Sequence, residues 1–572
     1  MGDDAALNCN GTQGGHKFAP EEAVFHEGNS LLDMKFTEEM NALPIENHEK
    51  ETYSHQNRSH EPKFDDLMLE EFSFDFLLQP PQAFEETVEV NNKAVASSES
   101  VKYNDKPVPP ASSILASLEL LNNYKSRLRR LKGQNINDTT ETDCSVGRQK
   151  LSTAEIIRVT GERYVQFSAY WDDNTCMPTH PYGFGLGGLS DEENKDVELA
   201  QFLLTAAERV SCEQYEGANR ILLQCELNSS ACATPVQKIV YHFAQALRER
   251  IHKETGMVTT LDGYKKTERH ELLEKINYNL PFISTCFRKI PFCQAMQIAG
   301  VQAMIEHLAS GTKIHLIDLE IRWGVQWTAL MQALAERRQR PLQLLTITAI
   351  GFEGRNELEE TGECLADFAG SLNLPFSFKV VFVTDMIEIR EEQFEINDDE
   401  AVAVYAPCVL ATMIPRPECL ENLMSILRKK KPRIMIVHET EANSNSQFFG
   451  KRFVEALFFF SAYIDCTETC MKDEAECRVA MGALFSDRIR NVVAREGKER
   501  TQRHVKVDVW RRFFARYRVV ETSFSESSLY QANLVIKNFA HGDSCTLGKN
   551  GNSLTVGWKG TPLHSVSAWK FL

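Results

Sequence analysis

Residues 314–327 read IHLIDLEIRWGVQW, and the reading of this stretch decides the fold. Ile314, Leu316, Ile317 and Leu319 form an apolar run of strand length with β-branched members, ending at an acid, Asp318 or Glu320. A helix-like pattern follows. Nucleotide-binding α/β folds place their first strand and phosphate loop in this order. Such a loop needs glycines, so that the backbone can approach the ligand and point its N–H groups at it. Here the turn reads Arg322-Trp323-Gly324, and Gly324 is its only glycine. Arg322, Trp323 and Trp327 would fill the space, and large side chains suit packing or a partner surface. The expectation is a scaffold without a cofactor. The rival is an S-adenosylmethionine-dependent methyltransferase, favoured by the strand–turn–helix order and by Glu353, which follows the second strand where a ribose-binding acid would lie.

Working outward, the chain from residue 312 alternates between two periods. Strand candidates are Ile314–Leu319, Leu344–Ile350, Phe378–Val383, Ala401–Leu410 and Arg433–His438. Helix candidates are Trp327–Arg338, Glu357–Leu372 and Pro417–Lys430, followed by a long one, Arg452–Ile464. This alternation predicts βαβ units and a mostly parallel sheet. After residue 515 the short runs Arg518–Glu521, Ala532–Asn538, Ser553–Trp558 and Val566–Phe571 read as an antiparallel edge.

Upstream the pattern is helical. Leu199, Leu203, Ala206 and Val210 make one stripe, and Val236, Ile239, Val240, Phe243 and Leu247 make another after Pro235. Residues 270–310 continue in the same vein. Regular structure is expected from about Glu192, with residues 133–190 a linker whose glycine run PYGFGLGGLS has no strand before it. Residues 1–110 have no sustained period and read as disordered. One segment there, FDDLMLEEFSFDFLLQPP (64–81), interleaves acids with Leu67, Leu69, Phe72, Phe74 and Phe76. It is either an amphipathic recruiting segment or a helix that docks on the protein's own core. Residues 111–132 make an amphipathic helix with a basic end, readable as a nuclear-import patch or as a solvated face.

Composition limits the function. The 63 basic and 80 acidic residues leave a net charge of −17, which argues against a chain held as a whole on phosphates. Fifteen cysteines are scattered without a CxxC pair, as free thiols in a reducing compartment would be. The first residues lack the regions of a signal peptide, and no apolar run is long enough to span a membrane. HExxH, GxSxG and P-loop patterns are absent. His438 reads as structural, Arg452, Arg488, Arg490 and Arg495 as ion-pair partners, and Trp510, Trp558 and Trp569 as core or domain-closing anchors. Direct DNA binding is a third reading. Its candidates are LRKKKPR (427–433), where lysines would cap a helix C-terminus, and Arg511, Arg512, Arg516 and Arg518 interleaved with aromatics.

Several blocks resemble the plant GRAS family of transcriptional regulators, in motif order over roughly residues 192–572. AQFLLTAAERVSCEQYEGANRILLQC and TPVQKIVYHFAQAL resemble the first leucine-rich block, and IHLIDLEIRWGVQWTALMQALAERR the VHIID block. LQLLTITAIG and LEETGECLADFAGSLNLPFSFKVV resemble the second leucine-rich block, FFGKRFVEALFFFSAYID and IRNVVAREGKERTQRH the PFYRE region, and LTVGWKGTPLHSVSAWKF the SAW block. The resemblance implies a Rossmann-like, methyltransferase-like α/β core with a helical cap. It places a leucine-rich cap at 192–310, the VHIID block at 312–350, the second leucine-rich block at 342–383, PFYRE at 400–510 and SAW at 511–572, after a regulatory region at 1–190. It further implies nuclear action without catalysis, through other GRAS proteins and DNA-binding transcription factors, with DNA reached mainly through those partners. The motif or partner-binding residues are Leu199, Leu203, Val236, Ile239, Phe243, His315, Ile317, Asp318, Trp323, Gln326, Trp327, Trp558 and Trp569, those of the VHIID block as scaffold and surface and those of the helix stripes as core or as a face for a partner helix. Residues 1–190 hold no DELLA or TVHYNP-type motif, which points to a non-DELLA branch, such as that linked to arbuscule development in mycorrhizal roots.

Overall fold

The computed structural model describes residues 114, 117, 118, 150–170, 189–257, 273, 276, 279–321, 323–352 and 354–572. The acidic segment 64–81, the basic residues 125–132, the glycine run at 183–188, Arg322 and Glu353 lie outside the described residues.

Among the described residues, the helices with assigned ranges before the sheet are α1 (Thr153–Tyr170), α2 (Asp191–Ser211), α3 (Tyr215–Leu227), α4 (Pro235–Glu254), α5 (Leu280–Lys289) and α6 (Pro291–His307). The helix α1 corrects the expectation of a linker over 133–190. Its apolar stripe is broken where Thr160 and Gly161 are buried between Ile157 and Tyr164, and tertiary contacts hold it in place. The Thr153 amide donates to Asp465 (3.1 Å), the Leu151 amide to Glu193 (2.8 Å) and the Arg158 guanidinium to the Thr561 hydroxyl (2.6 Å). Ser190 closes α2 with a capping box to Glu193, and Thr234 closes α4 with one to Gln237. Ile114 and Leu118, in helical conformation, are buried, as the amphipathic reading of 111–132 requires.

The α/β part runs β1 (Lys313–Asp318), α7 (Val325–Ala335), β2 (Leu344–Gly351), α8 (Arg355–Ser371), β3 (Phe376–Phe382), β4 (Ala401–Pro407), α9 (Pro417–Lys430), β5 (Ile434–Thr440), α10 (Phe449–Cys470), α11 (Ala475–Val493), α12 (Val507–Ala515), β6 (Val519–Thr522), α13 (Glu526–Asn538), β7 (Cys545–Asn550), β8 (Ser553–Trp558) and β9 (Thr561–Phe571). Among the described residues these strands form one nine-stranded sheet in the order β3-β2-β1-β4-β5-β9-β8-β7, with β6 also paired to β9. The first five strands are parallel and the last four antiparallel. The strand-and-helix order of the Rossmann-like expectation is met, and the order turns back between β1 and β4, the switch point of such sheets.

One tail reading fails. Ala532–Asn538 is helical, as the second half of α13. A short apolar run does not distinguish strand from helix. Here the Ser525 hydroxyl caps the helix by accepting from the Ser528 amide (3.0 Å), and Ser528, Ala532 and Ile536 form a buried stripe against the sheet's covering helices. The strand β7, unmarked by its sequence CTLGKN, completes the edge by pairing with β8.

The period-2 alternation of β1 sorts its side chains onto two cores. Ile314 and Leu316 face the core shared with the helical cap, α7 and α8, while Ile317 and Leu319 face the core shared with α9 and α12. The strand β5 is buried along its whole length.

Candidate functional site

The crossing from β1 to α7 is built around a buried carboxylate. Asp318 ends β1 with no exposure to solvent and accepts from the Trp327 indole Nε1 (2.9 Å), the Glu320 amide (3.2 Å) and the Gln326 amide nitrogen (3.5 Å). Burial pushes its carboxyl up to about 7 against the lowering effect of the Trp327 bond. Gly324 begins α7 in the left-handed region at φ +58°, and a Cβ there would stand 2.8 Å from Leu365. Its single glycine therefore serves the turn's own packing rather than the approach of a ligand.

Trp327 lies fully buried and meets the Tyr405 ring edge-on at 4.9 Å. Tyr405, at the end of β4, hydrogen-bonds through its hydroxyl to His438 Nδ1 on β5 (3.2 Å). A chain of side chains, Asp318–Trp327–Tyr405–His438, thus crosses three strand ends at the switch point. A nucleotide would need that volume. The residues present do not fit an adenosyl cofactor: the carboxylate is taken up by Trp327 and the crevice by two aromatic rings. Two further buried groups close the same end of the sheet. Glu439 accepts from the Leu410 and Ala411 amides (3.1 and 3.3 Å), and burial pushes its carboxyl up to about 8. Burial likewise pushes His438 down to about 3.

Most of the motif or partner-binding residues lie inside. Leu199, Leu203, Val236, Ile239, Phe243, His315, Ile317, Asp318, Trp327, Trp558 and Trp569 are all buried. These side chains act from within the fold, as the core reading of the stripes and of Trp558 and Trp569 has it. His315 bridges strands, with Nε2 2.7 Å from the Thr348 hydroxyl and Nδ1 3.2 Å from Glu400. The Trp558 indole donates to Asp465 (2.6 Å) and the Trp569 indole to Ser567 (2.8 Å). Trp323 and Gln326 are partly exposed.

The exposed apolar residues lie elsewhere, and periodicity alone missed them because they sit off the main stripes. Leu223 and Leu227, one turn apart on α3, are 51% and 70% exposed, and Phe202 on the neighbouring α2 is 37% exposed. Asp465 is an organising residue that the sequence does not mark, whereas Arg452 is the ion-pair partner expected of it. Asp465 holds Thr153, Trp558 and Lys559 (Nζ at 2.9 Å). Arg452, fully buried, donates to the Ser446 and Gln447 carbonyls (2.8 and 2.9 Å) and pairs with Glu496, which also holds Arg250. The basic stretches are engaged as well. Lys429 and Lys430 pair with Glu391 at the end of α9, and Arg511 pairs with Glu521 while Trp510, Phe513 and Phe514 are buried.

Comparison with known proteins matches residues 199–570 to the GRAS domain family. The DELLA protein RGL1 of Arabidopsis thaliana is 28% identical over 381 residues, spanning 66% of this chain and 71% of that protein. Protein SCARECROW of Ipomoea nil is 31% identical over 386 residues, 66% of this chain and 48% of that protein. The crystal structure of SCL7 from Oryza sativa aligns with a TM-score of 0.52 at 24% identity, covering 61% of this chain and 94% of that one, a likeness of fold.

Proposed function

The chain belongs to the GRAS domain family, and on that premise we propose that it is a nuclear transcriptional regulator that works by binding other proteins. One observation carries the reading. The crevice in which this type of sheet would hold a nucleotide is occupied by Trp327 and Tyr405, so function falls to the outer surface. Its partners are a second GRAS domain and DNA-binding transcription factors, with DNA reached through them. The formal charge of −17 and the pairing of Lys429, Lys430 and Arg511 with carboxylates support indirect over direct DNA contact. The association surface centres on Phe202, Leu223 and Leu227 of the cap, with Trp323 and Gln326 beside the turn as a second contact.

The test is co-precipitation with a second GRAS protein and a reporter assay in plant nuclei. Leu223→Glu with Leu227→Glu is expected to abolish association while leaving the melting temperature unchanged. A double variant that associates and activates as before overturns the surface assignment. Methyl transfer from S-adenosylmethionine that disappears on Asp318→Ala, in a folded variant, overturns the reading as a whole. The absence of a DELLA-type motif from residues 1–190 supports a role outside hormone-triggered degradation, and the process we assign is plant development or symbiosis, with arbuscule development the case to test. Roots lacking the protein should then form stunted arbuscules, and normal colonisation would refute that assignment.

A further inference from the structure

A cavity of about 610 Å³ opens between the end of α5, the C-terminus of α10 and the end of α13. It lies away from the crossing and from the exposed leucines of α3. That volume is within the range of small-molecule sites. Arg288, Lys289, Lys472, Asp473 and His541 bring charge or titratable groups to its wall, and Cys470 brings a thiol. Lys289 is paired with Glu474 (3.2 Å). Counting that pair and Asp473, one cation remains in excess.

Cys470 is the last residue of α10, and Cys466, one turn back, places its sulfur 3.9 Å away. The two thiols differ in their surroundings. Cys466 is buried and held protonated by desolvation, while Cys470 is half-buried at the cavity. The geometry lets Cys466 donate its S–H to Cys470, and that donation holds the Cys470 thiol below its usual value. A helix C-terminus alone would act the other way, because its carbonyls disfavour a negative charge. The donated hydrogen offsets this.

We propose that Cys470 is a thiol-modification site whose reagent is a small anionic disulfide, the class of glutathione disulfide. The Cys470 thiolate attacks one sulfur of the reagent, a new S–S bond forms, the reagent's own S–S bond breaks, and its other half leaves as a thiolate with the electron pair. The cations draw the carboxylates of the reagent into the cavity, and the resulting mixed disulfide would fill the cleft between α10 and α13. The exposed cysteines among the described residues, Cys212, Cys232 and Cys364, serve as internal references.

The experiment uses the full reduced chain with glutathione disulfide, with adducts located by peptide mass spectrometry over time. Cys470 is expected to react at least about tenfold faster than the three references, because thiolate character governs the rate. Lys472→Glu should slow Cys470 severalfold and leave the references unchanged, with thermal melting confirming that the variant folds. A second measurement compares iodoacetate with iodoacetamide, which differ in charge. The ratio of their rates should be higher at Cys470 than at the references, and should fall in Lys472→Glu. Cys466→Ala should slow Cys470 towards the references. Reaction at Cys470 no faster than at the references, or equal iodoacetate-to-iodoacetamide ratios at all four thiols, would overturn the proposal.

Discussion

Asp318 shows how one residue changes meaning with its surroundings. In the sequence it is an acid at a strand end, where a cofactor could be held. In the structure its carboxyl sits in a low-dielectric interior, which favours a protonated, structural group and outweighs the indole N–H that favours the charged form. Its folded-state value, about 7, lies above that of an unfolded aspartate, near 3.9. The native chain therefore keeps a proton that the unfolded chain has released. The associated stability is fully present below about pH 4 and is lost as pH rises through about 7. Asp318→Asn should flatten the fall in stability between pH 4 and 7, as measured by denaturant unfolding across that range; an unaltered profile would show that another group is responsible. Trp327→Ala should cost about 3–5 kcal/mol, since it empties a buried site and removes the indole donor to Asp318. Trp323→Ala, partly exposed, should leave the unfolding midpoint nearly unchanged.

Elements were legible in the sequence where they were long and strongly periodic. The helix Pro417–Lys430 and the strand Ser553–Trp558 were read to the residue, and the parallel strands to within three. The two failures share a cause. The helix α1 and the second half of α13 have short or weak patterns, and the partners that fix them are far along the chain. For α1 that partner is Asp465, more than 300 residues away, which also holds Trp558 of the SAW block. Asp465→Ala would leave an indole N–H and a helix-start amide without their acceptor, so a loss of about 2–4 kcal/mol is expected. Deleting residues 150–170 in addition should then cost less than the same deletion in the parent chain. Strictly additive losses in melting experiments would mean that the two are not coupled.

At the scale of the molecule, the C-terminal end of the sheet is closed by packing. The full chain should show no thermal shift with S-adenosylmethionine, whereas a ligand at about 100 times its Kd would add about 2.7 kcal/mol. A saturable shift would reopen the cofactor question. The same region holds three histidines that burial pushes down: His438 and His504 to about 3 and His564 to about 4. The unfolded chain takes up protons on such residues below about pH 6.5, and the native chain does not, so stability falls as pH drops from there. His564, between Phe292 and Tyr463, has neither ring nitrogen hydrogen-bonded. His564→Phe should raise stability, by a margin that grows as pH falls from 7 to 5; a margin independent of pH would place the titration elsewhere.

The sequence by itself determined the α/β class, most element boundaries and the family, because these rest on local periodicity and on long motifs that survive as strings. It also marked the turn Arg322-Trp323-Gly324 as a poor phosphate loop, since the count of glycines is a local fact. Only the tertiary structure decided which motif residues are buried, because exposure depends on what packs against a face. A leucine stripe looks the same whether it meets a partner or the chain's own sheet. So Leu199, Leu203, Ile239 and Phe243 proved to be core, while Leu223 and Leu227, off the stripe, remain at the surface. The pairing of Asp318 with Trp327, of Asp465 with Trp558, and of Cys470 with a basic cavity joins residues brought together by folding, and no local pattern encodes such neighbours.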